Sequence, residues 1–333
     1  MKRIFSGVKP TGHLTLGNYL GAVRQWVEVD QYAADALFSV VDLHALTVEH
    51  DPARVTRLSR QAATLLLAAG LDPERCTVFV QSHVDEHARL SYLMECVATD
   101  GEMRRMIQYK EKSVRARESG QGVRLSLLTY PALMAADILA YGTDEVPVGE
   151  DQTQHVELAR DLAVRFNQRY GHVFTVPRAT HPKVAARVMD LQDPTSKMGK
   201  SHENGAGIVY LLDDADTVRR KVMRAVTDSG REVVYDREER PGVANLLDLL
   251  AAATGCKGPA ELAEAYDSYG TLKKDTAEAV VELLRPVRER HAELAADPAY
   301  VEKVLRDGAE RARGMARPVV DRAYRAIGLL PAS

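Results

Sequence analysis

Cysteine is scarce in this chain. Cys76, Cys96 and Cys256 are the only three among 333 residues, they lie far apart, and none forms a C-x-x-C pair. That spacing excludes a disulfide framework and an iron–sulfur or zinc ribbon, so three buried thiols are expected. Apolar runs are short: none approaches the length needed to span a bilayer, and Met1 to Ser6 lead straight into Gly and Pro without a signal-peptide core. A cytoplasmic protein with no membrane partner is expected. Charge of one sign is also lacking. A formal net charge of -3 leaves no broad basic coat, so any contact with RNA must be local. Tryptophan occurs once, at Trp26, where helical spacing with Leu20 and Val23 assigns it to a core rather than a site.

What is present suits a folded chain of two domains: 45% hydrophobic and 27% charged residues. Arg3 to Val8 reads as a first strand. Ala36 to Val41 and Thr77 to Gln81 are near-continuous apolar runs of the kind buried on both faces of a sheet. Helical periodicity spans Leu16 to Val29, Ala53 to Ala69, Leu90 to Met106 and Tyr130 to Leu139. The alternation predicts a doubly wound parallel α/β domain over residues 1–205, with a helical insertion around 85–130. Gln108 to Arg124, charged and containing glycine, reads as a mobile exposed loop. Beyond residue 205 only helical patterns remain, which predicts a helical bundle over 206–333.

Several residues stand out chemically. Lys197-Met198-Gly199-Lys200-Ser201 places two lysines around a flexible pair, a loop suited to following phosphates. Gly12 and Gly17 lie where the first strand turns into a helix, and a helix start offers backbone N–H groups to an anion. His44 follows a buried strand at its carboxyl end, where ligand crevices form. Asp137 is a carboxylate in a helix apolar on nearly every other face, and a buried carboxylate needs a partner. His83 and His87 are spaced as metal ligands on one helix could be, but no third ligand follows nearby. Packing or capping is expected of them, and no protein-bound metal.

The combination Lys9-Pro10-Thr11, Thr15-Leu16-Gly17-Asn18 and the 197–201 loop resembles the signature pair of class I aminoacyl-tRNA synthetases. Tyr130-Pro131 through Leu139, followed by Val146-Pro147-Val148-Gly149-Glu150-Asp151-Gln152 and His155, narrows the resemblance to their bacterial tryptophanyl branch. It runs from Met1 to at least Ser201. The resemblance implies a Rossmann-like catalytic domain with a C-terminal anticodon-binding bundle, acting as a homodimer on L-tryptophan, ATP and tRNA(Trp), with Mg²⁺ held through the phosphates. It implies ATP contacts at Lys9, Pro10, Thr11, Thr15, Gly17, Asn18, Gly149, Glu150, Asp151, Val188, Lys197, Met198, Gly199, Lys200 and Ser201. It implies an amino-acid pocket of Phe5, His44, Tyr130, Met134, Val146, Val148 and Gln152, with Asp137 accepting the indole N–H. Lys112, Lys197, Lys200 and Asn18 would serve catalysis.

Two departures accompany it. Gly199 stands where the family usually has serine, and Lys9 where many relatives carry a neutral amide, so altered ATP affinity is expected. The arginines of the last third, Arg285, Arg288, Arg290, Arg306, Arg311, Arg313, Arg317, Arg322 and Arg325, are interleaved with acids; most are expected to form a salt-bridged face, a few to touch RNA. The apolar segment Leu90 to Met106 is the expected dimer interface. A tyrosyl-tRNA synthetase and a catalytically silent RNA-binding or regulatory paralogue remain as alternatives.

Overall fold

The computed structural model describes every residue except Met1, Ala34, Gln121, 182–187, 200–204, Lys257 and 331–333, with Glu150 described by its backbone only. Strand β1 (Arg3–Val8) leads into α1 (Leu16–Asn18), a π-helical turn (Tyr19–Val23) and α2 (Arg24–Glu28). Then follow β2 (Asp35–Val40), α3 (Pro52–Ala68), β3 (Thr77–Val80), α4 (Glu86–Val97), α5 (Asp100–Arg105), α6 (Ile107–Glu118) and α7 (Leu125–Leu139). Strand β4 (Glu145–Pro147), α8 (Thr153–Tyr170) and β5 (Arg178–Thr180) complete the sheet, and α9 (Ala215–Met223), α10 (Pro241–Thr254), α11 (Pro259–Ala263), α12 (Tyr269–Ala296) and α13 (Pro298–Ala326) close the chain.

The sheet has five strands in the order β3-β2-β1-β4-β5, all parallel. Each strand alternates its side chains between two faces. Val8, Phe38, Val40, Val78 and Val80 therefore enter one hydrophobic cluster, whereas Phe5, Leu37, Phe79 and Val146 enter the other. The order reverses between β1 and β4, and that is where a crevice opens in folds of this kind. This is the doubly wound α/β architecture expected, followed by helices.

Helix α13 belongs to both clusters. Val301, Val304 and Leu305 pack with one face of the sheet, and Ala309, Ala312, Ala316 and Val320 with the other. The helix thus crosses the edge of the sheet beside β3. Gly308 marks the crossing: a β-carbon there would lie 2.0 Å from the Val78 carbonyl oxygen, so no larger residue fits without moving the helix.

Three expectations change. The helix expected over Leu16 to Val29 is interrupted by its π turn, a feature common near functional sites. Residues expected to form a loop from Gln108 instead make α6, because Tyr109 and Ser113 are buried and give the charged helix an inner face; only the stretch after Glu118 leaves helical structure. Finally, only Cys76 is buried. Cys96 faces outward on α4, and Cys256 follows the left-handed cap Gly255 of α10.

Candidate active site

A cavity of about 350 Å³ opens at the carboxyl ends of β1, β2 and β4. Phe5 through Lys9 form its floor, Val41, His44 and Thr47 enter from beyond β2, and Val146 and Val148 from β4. Helix α7 contributes Tyr130, Met134, Asp137 and Ile138, α6 contributes Gln108 and Lys112, and the 16–28 helical run contributes Asn18, Ala22, Val23 and Trp26. Within the π turn, Ala22 and Val23 both reach the cavity. Trp26 is core as expected, stacked on Phe38 with centroids 5.2 Å apart, and its edge also lines the cavity.

Asp137 is the buried charge of the site, 1% exposed. Gln81 Nε2 donates to both of its oxygens at 2.8 and 2.9 Å, His87 Nδ1 lies 2.6 Å from Oδ1, and His44 Nε2 lies 2.9 Å from Oδ2. The Gln81 amide is oriented by the Leu43 N–H, which donates to its Oε1 at 3.0 Å, leaving Nε2 to face the carboxylate. Burial alone would raise the Asp137 pKa; the His87 ring and the hydrogen bonds from His44 and His87 outweigh it and hold the group at about 2. The carboxylate is therefore ionised and fixed.

Beside it, the Tyr130 hydroxyl and His155 Nε2 are 2.6 Å apart. His155 is 1% exposed, and burial first, then the Lys112 charge, pushes its pKa down to about 4. A neutral ring results, able to hold the Tyr130 ring at a set angle against the cavity.

Cations gather at the mouth. Lys9 Nζ lies 3.1 Å from Thr47 Oγ1, and burial, then the nearby Lys112 charge, lowers its pKa to about 8. Lys112 Nζ donates to Gln108 Oε1 at 2.7 Å and sits 5.8 Å from the Tyr130 ring centroid. Lys197 Nζ is 3.9 Å from Asp151 Oδ1, both side chains largely exposed. The two signature stretches touch: a β-carbon on Gly17 would lie 2.9 Å from the Met198 carbonyl oxygen. Met198 is itself buried, its N–H donating to the Val188 carbonyl at 3.0 Å. Asn18 and Thr15 form a reciprocal capping box, Thr15 Oγ1 accepting from the Asn18 N–H and Asn18 Oδ1 from the Thr15 N–H.

A parallel sheet of this order, with a buried acceptor and a cationic mouth at its switch point, narrows the fold sharply. Residues 1–285 match the family model described as tRNA synthetases class I (W and Y). The chain belongs to that family. This class I synthetase is 81% identical over 331 residues to tryptophan–tRNA ligase 1 of Streptomyces coelicolor, covering 99% of the chain and 98% of the relative. Tryptophanyl-tRNA synthetase of Mycoplasma pneumoniae superposes with a TM-score of 0.90 at 36% identity, covering 99% of this chain and 98% of that one. The Campylobacter jejuni enzyme complexed with ADP and tryptophan superposes with a TM-score of 0.83 at 32% identity, covering 98% and 100%.

Of the residues singled out in the synthetase's sequence, Phe5, Lys9, Asn18, His44, Lys112, Tyr130, Met134, Asp137, Val146, Val148 and Gln152 converge on the one cavity. Pro10, Thr11, Thr15, Gly17, Gly149, Asp151, Val188, Lys197, Met198 and Gly199 are not among its lining residues. Pro10, Thr15, Gly17, Val188 and Met198 are buried supports, whereas Thr11 and Asp151 are exposed. Lys200 and Ser201 lie outside the described residues, as does the side chain of Glu150. Among the described residues, no group of three or more His, Cys, Asp or Glu side chains is placed to hold a metal.

Sequence reasoning missed Gln81, and of His87 it expected packing or capping but not its hold on Asp137. His83 and His87 do not share a helix: His83 closes a short 3₁₀ turn, and His87 turns inward to Asp137. Gln81 immediately follows β3, so the strand-end rule that picked out His44 applied equally to it. Ser6, whose Oγ donates to the Pro147 carbonyl at 3.2 Å and so ties β1 to β4, was also passed over.

The segment expected as the dimer interface, Leu90 to Met106, spans α4 and α5. Leu90, Leu93, Met94, Met103 and Met106 are all buried inside the chain, and Tyr92 is the large exposed residue of α4, 67% accessible. Of the C-terminal arginines, only Arg285, Arg290, Arg306 and Arg317 pair with acids on α12 and α13 among the described residues. Arg288, Arg311 and Arg313 instead donate to backbone carbonyls, so the salt-bridged face is smaller than expected. Exposed Arg322 and Arg325 have no ion pair among the described residues.

Proposed function

We propose that the chain is a tryptophan–tRNA ligase that activates L-tryptophan with ATP and passes the amino acid to the 3′ end of tRNA(Trp). The observation that carries the reading is the ionised, buried Asp137 facing a flat cavity walled by Phe5, Tyr130, Met134, Val146 and Val148. A fixed acceptor in an apolar slot favours a ring that brings a matching N–H to it over one that brings none. A phenol would bring a hydroxyl to the same place, and the apolar Met134 and Ile138 beside Asp137 offer it no further polar partner.

Activation asks for positioning and charge rather than covalent help from side chains. The tryptophan carboxylate oxygen bonds to the α-phosphorus of ATP, and the bond to pyrophosphate breaks. The terminal ribose hydroxyl of tRNA then attacks the acyl carbon and AMP leaves. Lys9 and Lys112 at the cavity mouth, with Lys197 and Lys200 of the signature stretch, would balance the charge on the phosphates. Mg²⁺ would arrive with the nucleotide and add charge there. The helices after residue 205 would read the anticodon arm, with Arg322 and Arg325 as its phosphate contacts. A homodimer working in the cytoplasm completes the reading.

Pyrophosphate–ATP exchange with each aromatic amino acid is the test. Exchange with tryptophan alone supports the reading; exchange with tyrosine moves the chain to the sibling specificity, and none with any points to a silent paralogue.

A further inference from the structure

Asp137 Oδ1 and Oδ2 have different surroundings. Oδ1 receives His87 Nδ1 and Gln81 Nε2, neither from a residue that lines the cavity; Oδ2 shares Gln81 and otherwise meets His44, which does line it. His87 is wholly buried, and its far nitrogen, Nε2, is held 2.7 Å from the hydroxyl of Tyr141, itself wholly buried. Phe79 stacks along the His87 ring with centroids 6.0 Å apart. Ring position, ring rotation and the nitrogen offered to Asp137 are therefore all fixed from behind.

We propose that His87, braced by Tyr141, is the positioning residue that sets the tryptophan specificity of the site. By occupying Oδ1 from the interior side, it turns Oδ2 towards the cavity as the acceptor for the substrate's ring N–H. Side chains that orient an acceptor in this way affect recognition without touching the ligand. The inference rests on Asp137 being that acceptor. It goes further in assigning the orientation to a residue outside the cavity rather than to His44, which lines it.

The experiment measures pyrophosphate exchange with tryptophan and with its analogue carrying ring sulfur in place of N–H, and takes the ratio of the two kcat/KM values. His87→Ala is expected to lower that ratio roughly tenfold, the scale of one hydrogen bond to a charged group, chiefly by raising KM for tryptophan. His87→Asn, whose amide reaches the Nδ1 position, is expected to restore most of it. A merely structural role would lower both substrates together and leave the ratio unmoved, and that result in folded His87→Ala overturns the proposal. Should His87→Ala not fold, Tyr141→Phe replaces it: a fall in the ratio of roughly threefold or more supports the proposal, and an unchanged ratio overturns it. Asp137→Ala serves as the control. If it leaves the ratio intact, the ring N–H is recognised elsewhere and the reading of Asp137 fails; if it alone abolishes discrimination, only the role of His87 fails.

Discussion

Gly17 and Met198, from the two ends of the catalytic half, meet so closely that a methyl group on the glycine would press on the Met198 carbonyl at 2.9 Å. The helix that begins the site and the loop that carries Lys197 are thus one packed unit. Gly17→Ala is expected to push them apart, lowering kcat for pyrophosphate exchange by an order of magnitude or more. The loss of stability should be only about 1–3 kcal/mol, as for other overpacked sites. Parallel exchange and denaturant-melt measurements check the pair.

Asp137→Asn removes the charge while keeping the shape. Exchange with tryptophan should fall at least tenfold, on the scale of a lost hydrogen bond to a charged group. Stability should respond to acid as well. The Asp137 pKa is lowered from 3.8 to about 2 in the folded chain, so its contribution is fully present above the unfolded value. It is lost as pH falls through about 2. The wild type should therefore lose more stability than Asp137→Asn between pH 4 and 2, measured by the denaturant midpoint at each pH.

Lys9 offers a pH test near neutrality. Its folded pKa of about 8 lies below the ordinary lysine value, so the ammonium is charged at pH 7 and neutral at pH 9. Burying it costs the folded state stability at pH 7, a penalty that fades as pH rises. For ATP the sign is opposite: phosphate binding needs the charge, so the KM for ATP should rise through pH 8 in the wild type. In Lys9→Gln that rise should be much reduced. Identical profiles would remove Lys9 from the ATP site.

Gly308→Leu tests the crossing of α13. A side chain at that position meets the Val78 backbone, which cannot rotate away, so a destabilisation of about 2–4 kcal/mol is expected by urea unfolding. Gly314→Leu on the same helix, where a β-carbon meets nothing within 4 Å, should be nearly neutral.

The first three strands were legible, β2 and β3 because buried parallel strands are written as near-continuous apolar runs, as in Ala36 to Val40; β4 and β5, three residues each, are too short to show such a run. The cavity walls were legible from the 130–152 motif. The cage around Asp137 was not. Gln81 and His87 are polar residues whose neighbours in sequence are ordinary; the turn after β3 brings the one and the packing of α4 on α7 the other to the carboxylate. Helix α6 was misread for a related reason: its inner face rests on Tyr109 and Ser113, too narrow a stripe to show as periodicity among charges. The C-terminal arginines were read only in part: Arg285, Arg290, Arg306 and Arg317 meet acids at near neighbours in sequence, whereas Arg288, Arg311 and Arg313 donate to backbone carbonyls, which no charge pattern announces.

The route of α13 has a consequence for how the chain is made. The helix that crosses the free edge of β3 begins only at Pro298, whereas β3 is complete at Val80. At roughly 5–20 residues per second, that edge stays open for many seconds of synthesis. During that interval its unpaired backbone is a template for another strand. The vulnerable moment in the life of this enzyme is therefore the wait for α13.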